Sequence, residues 1–259
     1  MTYQANGGTG ADVVVPNILG DYVLAANTFT APSDKAFKCW LIGEKEMYPN
    51  DKINVTANIT VKAVWKGAPA PEPTPTHDGD NYSNTITAGT DTNVTSTFTD
   101  AKASNGTVNV KVGDMDIKFD KDAVSAIGGN TVSLKAEVKT ENTGVEGAEA
   151  VIEVTLDGAS FSSGKATLTV PFTQGVPSGK LLKVYFINGS EKTEMPGATY
   201  QDDKVVFETT HFSTYAIMFV DDPDASSSNG GGFPWWIIGV IVAVVAVAGV
   251  GVFIYMKKH

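Results

Sequence analysis

Arginine is absent from all 259 residues, cysteine occurs once and histidine three times. Each scarcity removes a class of function. Without a guanidinium fork the chain has no bidentate grip on phosphate, and a formal charge of −10 repels nucleic acid and anionic headgroups. No nucleic-acid partner is expected. Cys39 stands alone and cannot close an internal disulfide, so stability outside a cell must come from packing, with this residue as a small buried hydrophobe.

Catalytic chemistry is thin for the same reason. His77 lies in a Pro/Thr-rich stretch, His259 ends the chain, and only His211 falls in a segment with folded character. His211 and Ser213 would project to one face of a strand, but no orienting third group accompanies them, so His211 is expected to cap the last strand. One cysteine and scattered histidines cannot close a zinc site. The acidic runs Asp78-Gly79-Asp80-Asn81, Asp114-x-Asp116 and Asp221-Asp222-Pro223-Asp224 lack the central Gly and final Glu of a twelve-residue calcium loop. They are expected to be solvated surface. The expectation is a chain without enzymatic activity, cofactor or metal.

What the chain does have is a long apolar run near its end. Residues 235–256 carry no charge and as a helix would span about 33 Å at about 1.5 Å per residue, enough to cross a bilayer. Trp235, Trp236 and Tyr255 mark its two ends, where amphipathic rings favour the headgroup layer. Lys257 and Lys258 follow at once, and the positive-inside rule places them, with His259, in the cytoplasm. Gly239 and Ala243 offer a small-xxx-small route to weak self-association. The expectation is a single-pass plasma-membrane protein with its N-terminal part outside. Six Asn-x-Ser/Thr sequons, beginning at Asn54, Asn58, Asn81, Asn93, Asn105 and Asn188, suit that side as candidate glycosylation sites. Such an orientation requires an export signal, and the residues after Met1 show neither a basic nor an apolar leader region, so the natural chain is expected to begin upstream.

Pro, Gly and Ser divide the rest. Residues 67–80 alternate Pro with small residues and predict an extended polyproline spacer; 221–234 are acidic and then Ser/Gly-rich, and predict a flexible stalk. The folded parts are then 1–66 and 81–220. Period-two patterning predicts strands near 2–4, 12–15, 22–24, 37–42 and 59–65 in the first. In the second it predicts strands near 107–112, 115–119, 132–138, 150–156, 166–172, 182–187, 205–210 and 215–220, with turns such as Gly128-Gly129-Asn130, and one short helix at 121–127. Nothing in it suggests a βαβ unit.

The first part carries a recognisable series: Asn6-Gly7-Gly8-x-Gly10, then Phe37-x-x-Trp40, then Ala63-x-Trp65. In this it resembles the Listeria/Bacteroides repeat, the internalin-type B repeat of microbial surface proteins. The resemblance covers about a quarter of the chain and implies a small β-grasp-like module serving as spacer or interaction unit. Cys39 departs from the pattern, where a Gly usually precedes the Trp. In the second part, 166–172, 182–186 and 204–216 are similar to the closing strands of β-sandwich domains of microbial cell-surface proteins. The fold class expected is therefore mainly β: a β-grasp-like repeat, an antiparallel β-sandwich and one C-terminal transmembrane helix. The corresponding function is adhesion, interaction or spacing at a cell surface, with the bilayer and an extracellular protein or glycan as partners. A carbohydrate-binding or wall-associated module is the alternative, for which Tyr3, Tyr22, Trp40, Tyr48 and Trp65 are the candidate aromatics. A C-terminal fragment of a larger exported enzyme or adhesin is another.

Overall fold

Alternation of side chains dictates most of the architecture. In a computed structural model, residues 1–127, 131–161 and 163–225 are described. The Gly128-Gly129-Asn130 turn, most of the stalk, and the 235–256 run with Trp235, Trp236, Tyr255, Lys257 and Lys258 lie outside them. Among the described residues no helix is long and apolar enough to cross a membrane.

The first seven strands are β1 (Thr2–Gln4), β2 (Val13–Val14), β3 (Gly20–Val23), β4 (Lys35–Ile42), β5 (Lys45–Met47), β6 (Lys52–Val55) and β7 (Thr60–Gly67). Five of them form one sheet in the order β2-β1-β7-β4-β5, with β1 and β7 parallel, and β3 pairs with β6. Val61 and Ala63 of β7 point inward while Thr60 and Lys62 face solvent. Trp40, 1 % exposed, packs edge-on against Tyr3 and Phe37 at 4.9 and 4.8 Å between ring centroids. Both polar handles converge on one residue: the Trp40 indole donates to the Ala25 carbonyl at 2.9 Å, and the Tyr3 hydroxyl accepts from the Ala25 N–H at 3.0 Å.

The chain continues through β8 (Thr76–Asp78), β9 (Asn81–Ile86), β10 (Thr92–Asn93), α1 (Thr95–Ala103), β11 (Thr107–Val112), β12 (Met115–Phe119), α2 (Lys121–Ile127) and β13 (Ser133–Lys139). It then forms β14 (Ala148–Asp157), β15 (Ala166–Pro171), β16 (Lys180–Asn188), β17 (Glu191–Glu194), β18 (Thr199–Gln201), β19 (Lys204–Thr209) and β20 (Thr214–Asp221). Seven strands form a sheet in the order β18-β19-β15-β12-β11-β9-β8, and six form another in the order β10-β13-β14-β20-β16-β17. Inward residues of both, among them Val110, Ile117, Leu168 and Phe207 from one and Leu134, Ile152, Tyr215 and Ile217 from the other, share a single apolar core. The described chain is mainly β.

Two expectations are corrected. The patterning suggested no βαβ unit, yet β9 and β11 are parallel neighbours joined across α1. The local sequence does not show this helix because Thr95-Ser96-Thr97-Phe98-Thr99 is rich in β-branched residues, which favour strands. Tertiary contacts override that propensity. Phe98 and Ala101 are fully buried in the shared core, and the Glu72 carboxylate accepts both the Ser96 and Thr97 N–H groups at 2.8 Å. A cap brought from 24 residues upstream satisfies the helix start and sets a negative charge at the positive end of its dipole.

The same contact corrects the spacer. Gly67 still belongs to β7, and residues 70–78 lie along the second sheet pair instead of holding two modules apart. Ala70 donates to the Asp91 carbonyl and accepts from the Asn93 N–H, Pro73 accepts from Asn84 Nδ2, and 76–78 are already strand β8. Met1–Val220 accordingly form one compact unit that takes in both 1–66 and 81–220, and a second unit begins at Asp221. Replacing Glu72 with Ala is expected to lower stability by about 1–2 kcal/mol through loss of the α1 cap, with Glu72→Gln costing less. Urea unfolding of both variants measures it; equal stability of Glu72→Ala and wild type would remove the cap from the account.

Candidate functional site

The repeat-like residues come together as a local structure. Asn6, in the left-handed region at φ 46°, donates from its side chain to the Ala63 carbonyl at 2.8 Å. Gly8 lies under the half-buried Trp65 ring: a Cβ there would sit 2.4 Å from the ring and 2.6 Å from the Thr30 carbonyl. The Trp65 indole donates back to the Ala5 carbonyl at 2.8 Å. Gly7 and Gly10 complete the turn at φ 100° and 135°. Glycine at position 8 and tryptophan at 65 are therefore two halves of one contact, 57 residues apart in sequence. The series serves folding, and none of its residues lines the cleft at the junction described next.

A cavity does form where the first sheet meets the second sheet pair. Among the described residues, polar contacts from four groups stitch that junction. Gly158 N–H donates to the Lys38 carbonyl at 2.8 Å, Asn50 Nδ2 to the Ala126 carbonyl at 2.7 Å, and Ser160 Oγ to Asp51 Oδ1 at 2.6 Å. The fourth is Lys66, whose Nζ donates to Asp91, Asp157 and Ser133. Gly158 has φ 87°, and a Cβ on it would fall 1.9 Å from the Thr131 carbonyl, so no other residue fits this turn. Beside these contacts lies a cleft of about 510 Å³, within the range of small-ligand sites. Tyr48 and Asp51 line it from one side, and Glu153–Leu156 of β14 with the loops around Ser160 and His211–Thr214 from the other.

The lining combines hydroxyls (Thr155, Ser160, Thr210, Ser213, Thr214), rings (Tyr48, Phe161, Phe212) and two carboxylates. Both carboxylates are engaged: Asp51 by Ser160 and the Tyr48 N–H, Glu153 by Lys139 at 2.7 Å. No lysine lines the cleft. Burial, with Asp157 nearby, holds the Tyr48 hydroxyl far above the ordinary tyrosine range, so it stays a neutral donor. His211 is held by its backbone. Thr209 Oγ1 and the Tyr215 hydroxyl both donate to its carbonyl, which orders the turn into β20, while its ring meets Phe186 edge-on at 4.9 Å. Capping at this corner thus falls to Thr209 and Tyr215 through the His211 main chain. Among the described residues no hydrogen bond joins the His211 ring to Ser213 or Ser160, and no three potential metal ligands converge. The acidic runs are used locally: Asp80 pairs with Lys121 at 3.7 Å, Asp116 accepts from Asn109, and Asp222 accepts from the Asp224 N–H.

Of the five candidate aromatics only Tyr48 reaches the cleft. Tyr3 and Trp40 are buried, Tyr22 packs against the first core and Trp65 covers Gly8. They form no exposed row. Among the sequons, Asn58, Asn105 and Asn188 are exposed; Asn54 is exposed but bonded to Asp21, while Asn81 and Asn93 are half-buried with side-chain oxygens accepting from Thr107 and Thr95. The cleft residues carried no signal in sequence because they come from segments about a hundred and more positions apart that meet only at the junction.

Cys39 is fully buried on β4, and burial, aided by Glu46, pushes its thiol up to about 12. Burial likewise pushes Tyr215 up to about 12. Both groups are neutral when protonated and both folded values are raised, so their contribution is complete below the unfolded cysteine value of 9.0 and is lost as pH climbs toward 12. Each group whose unfolded form has ionised costs the fold about 1.4 kcal/mol per pH unit. The urea midpoint is expected to be flat from neutral pH to about 9 and to fall steeply beyond it. At pH 8 a disulfide reagent should label Cys39 only as fast as the protein unfolds; rapid labelling of the native chain would contradict its burial.

Comparison with known proteins adds no assignment: no family model matches the chain, and no curated protein and no solved structure matches it.

Proposed function

We propose that this chain is a membrane-tethered, non-catalytic cell-surface protein whose head binds a neutral glycan end in the junction cleft. On this reading 1–66 is a β-grasp-like module of the Listeria/Bacteroides repeat type, 81–220 a β-sandwich, and 235–256 the transmembrane anchor with Lys257 and Lys258 inside. The observation that carries it is the cleft itself: hydroxyls and ring faces from both halves of the head, no lysine, and carboxylates already engaged. Sugars present hydroxyls and apolar C–H faces, which such a lining matches, whereas an acidic glycan would meet Asp51 and Glu153 without a cation. The anchor is supported by the charge-free 235–256 run and the lysines that follow it.

The test has two arms. Detergent-solubilised full chain is assayed against a panel of neutral and acidic oligosaccharides, expecting saturable binding to neutral ones that Phe212→Ala and Tyr48→Ala weaken about tenfold or more, the value of one well-placed contact. No binding across the panel would leave a purely structural role. Protease shaving of intact cells should release fragments of 1–220; protection of that whole region would sink the exported orientation.

A further inference from the structure

The contacts at Lys66 exceed what an ion pair requires. Its Nζ donates to Asp91 Oδ2, Asp157 Oδ2 and Ser133 Oγ, each at 2.6 Å, which uses all three N–H groups of an ammonium. The side chains of Lys66, Asp91 and Asp157 are 16 %, 29 % and 11 % exposed. Pairs such as Lys165–Glu208, at 56 % each, lie out on the surface with a single carboxylate. At Lys66 two carboxylates share one cation, leaving one negative charge with little water to solvate it. Asp157 Oδ1 is buried and has no hydrogen-bond partner among the described residues. Both features leave the Asp157 carboxyl short of water and of donors compared with the surface pairs. A lysine nitrogen held in contact with a buried carboxyl whose second oxygen has no partner is positioned for acyl transfer.

We propose that Lys66 and Asp157 condense into an intramolecular amide that covalently joins the end of β7 to the end of β14, with Asp91 carrying the protons. The ammonium first passes a proton by way of Asp91 to Asp157, leaving a neutral amine and a neutral carboxylic acid. The Nζ lone pair attacks Asp157 Cγ and the carbonyl opens to a tetrahedral centre. Asp91 takes a proton from the nitrogen and delivers it to the departing hydroxyl, which leaves as water. One N–C bond forms, one C–O bond breaks and nothing is oxidised or reduced. Asp157 is the electrophile because it is the more buried carboxyl and its second oxygen is unpaired. Asp91 is the carrier because its greater exposure lets it hold charge and opens a way out for water. Ser133 takes the third N–H and aims the nitrogen. In dilute solution ions are favoured over the amide, but holding the groups in contact corresponds to effective molarities of about 10⁵–10⁸ M. Such a link would make the stitched junction permanent, independently of what the cleft binds.

Mass spectrometry decides the matter. The full chain is produced in a host that does not glycosylate, digested, and sequenced as peptides. The expected result is a linked pair containing Lys66 and Asp157, lighter than the two separate peptides by one water, in most molecules. Asp157→Ala should abolish it. Asp91→Asn, checked for a native circular dichroism spectrum, should leave Lys66 free and open to acylation after denaturation. Recovery of wild-type Lys66 and Asp157 peptides unlinked and at full mass would overturn the proposal, leaving an ordinary ion pair. Linking as complete in Asp91→Asn as in wild type would overturn the role of Asp91.

Discussion

Lys66→Ala is expected to lower the unfolding free energy by about 3–5 kcal/mol, the cost of leaving a buried ionic group without its partner. The reason lies in what remains. Asp91 and Asp157 would face each other across the space left by the Lys66 side chain, and Asp157 is only 8 % exposed, with one oxygen already unpaired. Removing both partners should cost much less than the two single changes summed, because Lys66→Ala with Asp157→Ala leaves one fewer uncompensated charge. The effect also has a location. The network joins β7 to β13 and β14, so the variant should lose cooperativity, with the Trp40 region unfolding at lower urea than the second core. Tryptophan fluorescence and far-UV circular dichroism followed through one urea titration distinguish these outcomes. A change within about 0.5 kcal/mol, with coincident transitions, would mean that water screens the site and that the junction is held by its other contacts.

Trp40→Ala is expected to cost as much, about 3–5 kcal/mol, by a different route. The first sheet encloses a small core, and a small core has little apolar area to spare. Trp40 touches Tyr3, Phe29 and Phe37 within it, so truncation opens a cavity among aromatic rings that cannot collapse onto one another without leaving their strands. It also strips the Ala25 carbonyl of its donor. Trp40→Phe should recover most of the area but not the hydrogen bond, and fall between. Hydrogen exchange on β4 and β7 is the direct measurement: protection there should drop while that of β15 and β19 is kept. Uniform loss across both cores would instead show that the compact unit opens only as a whole.

The cleft draws on both halves of the compact unit, since Tyr48 and Asp51 reach it from the loop between β5 and β6 and Glu153–Leu156 from β14. A variant that loosens the junction should therefore weaken any ligand of the cleft without touching a lining residue. That makes Lys66→Ala a useful control for the binding panel beside Phe212→Ala.

Much of the strand pattern was legible. The strands at 107–112 and 115–119 and the helix at 121–127 stand at the positions that period and turn residues indicate. Short or polar strands were not: β5 reads Lys-Glu-Met and β17 is exposed throughout, so neither shows an apolar face. Helix α1 was hidden by its threonines, and the role of residues 67–80 by their prolines, because in both cases the deciding partner, Glu72 for one and the Asp91–Asn93 segment for the other, is remote.

By itself the sequence determined the β character, the glycine turn and the two tryptophans of the first sheet, the absence of basic forks, and the charge-free run before Lys257. These are local matters: alternation shows which side chains share a face, and composition shows which chemistries are available. Tertiary structure alone decided that 1–66 and 81–220 close into one unit, that a proline-rich belt caps a helix, and that Lys66 meets two aspartates at the edge of a shared cleft. Period two specifies the face but not the neighbour, and residues 66, 91, 133 and 157 have no common pattern until the strands that carry them are paired.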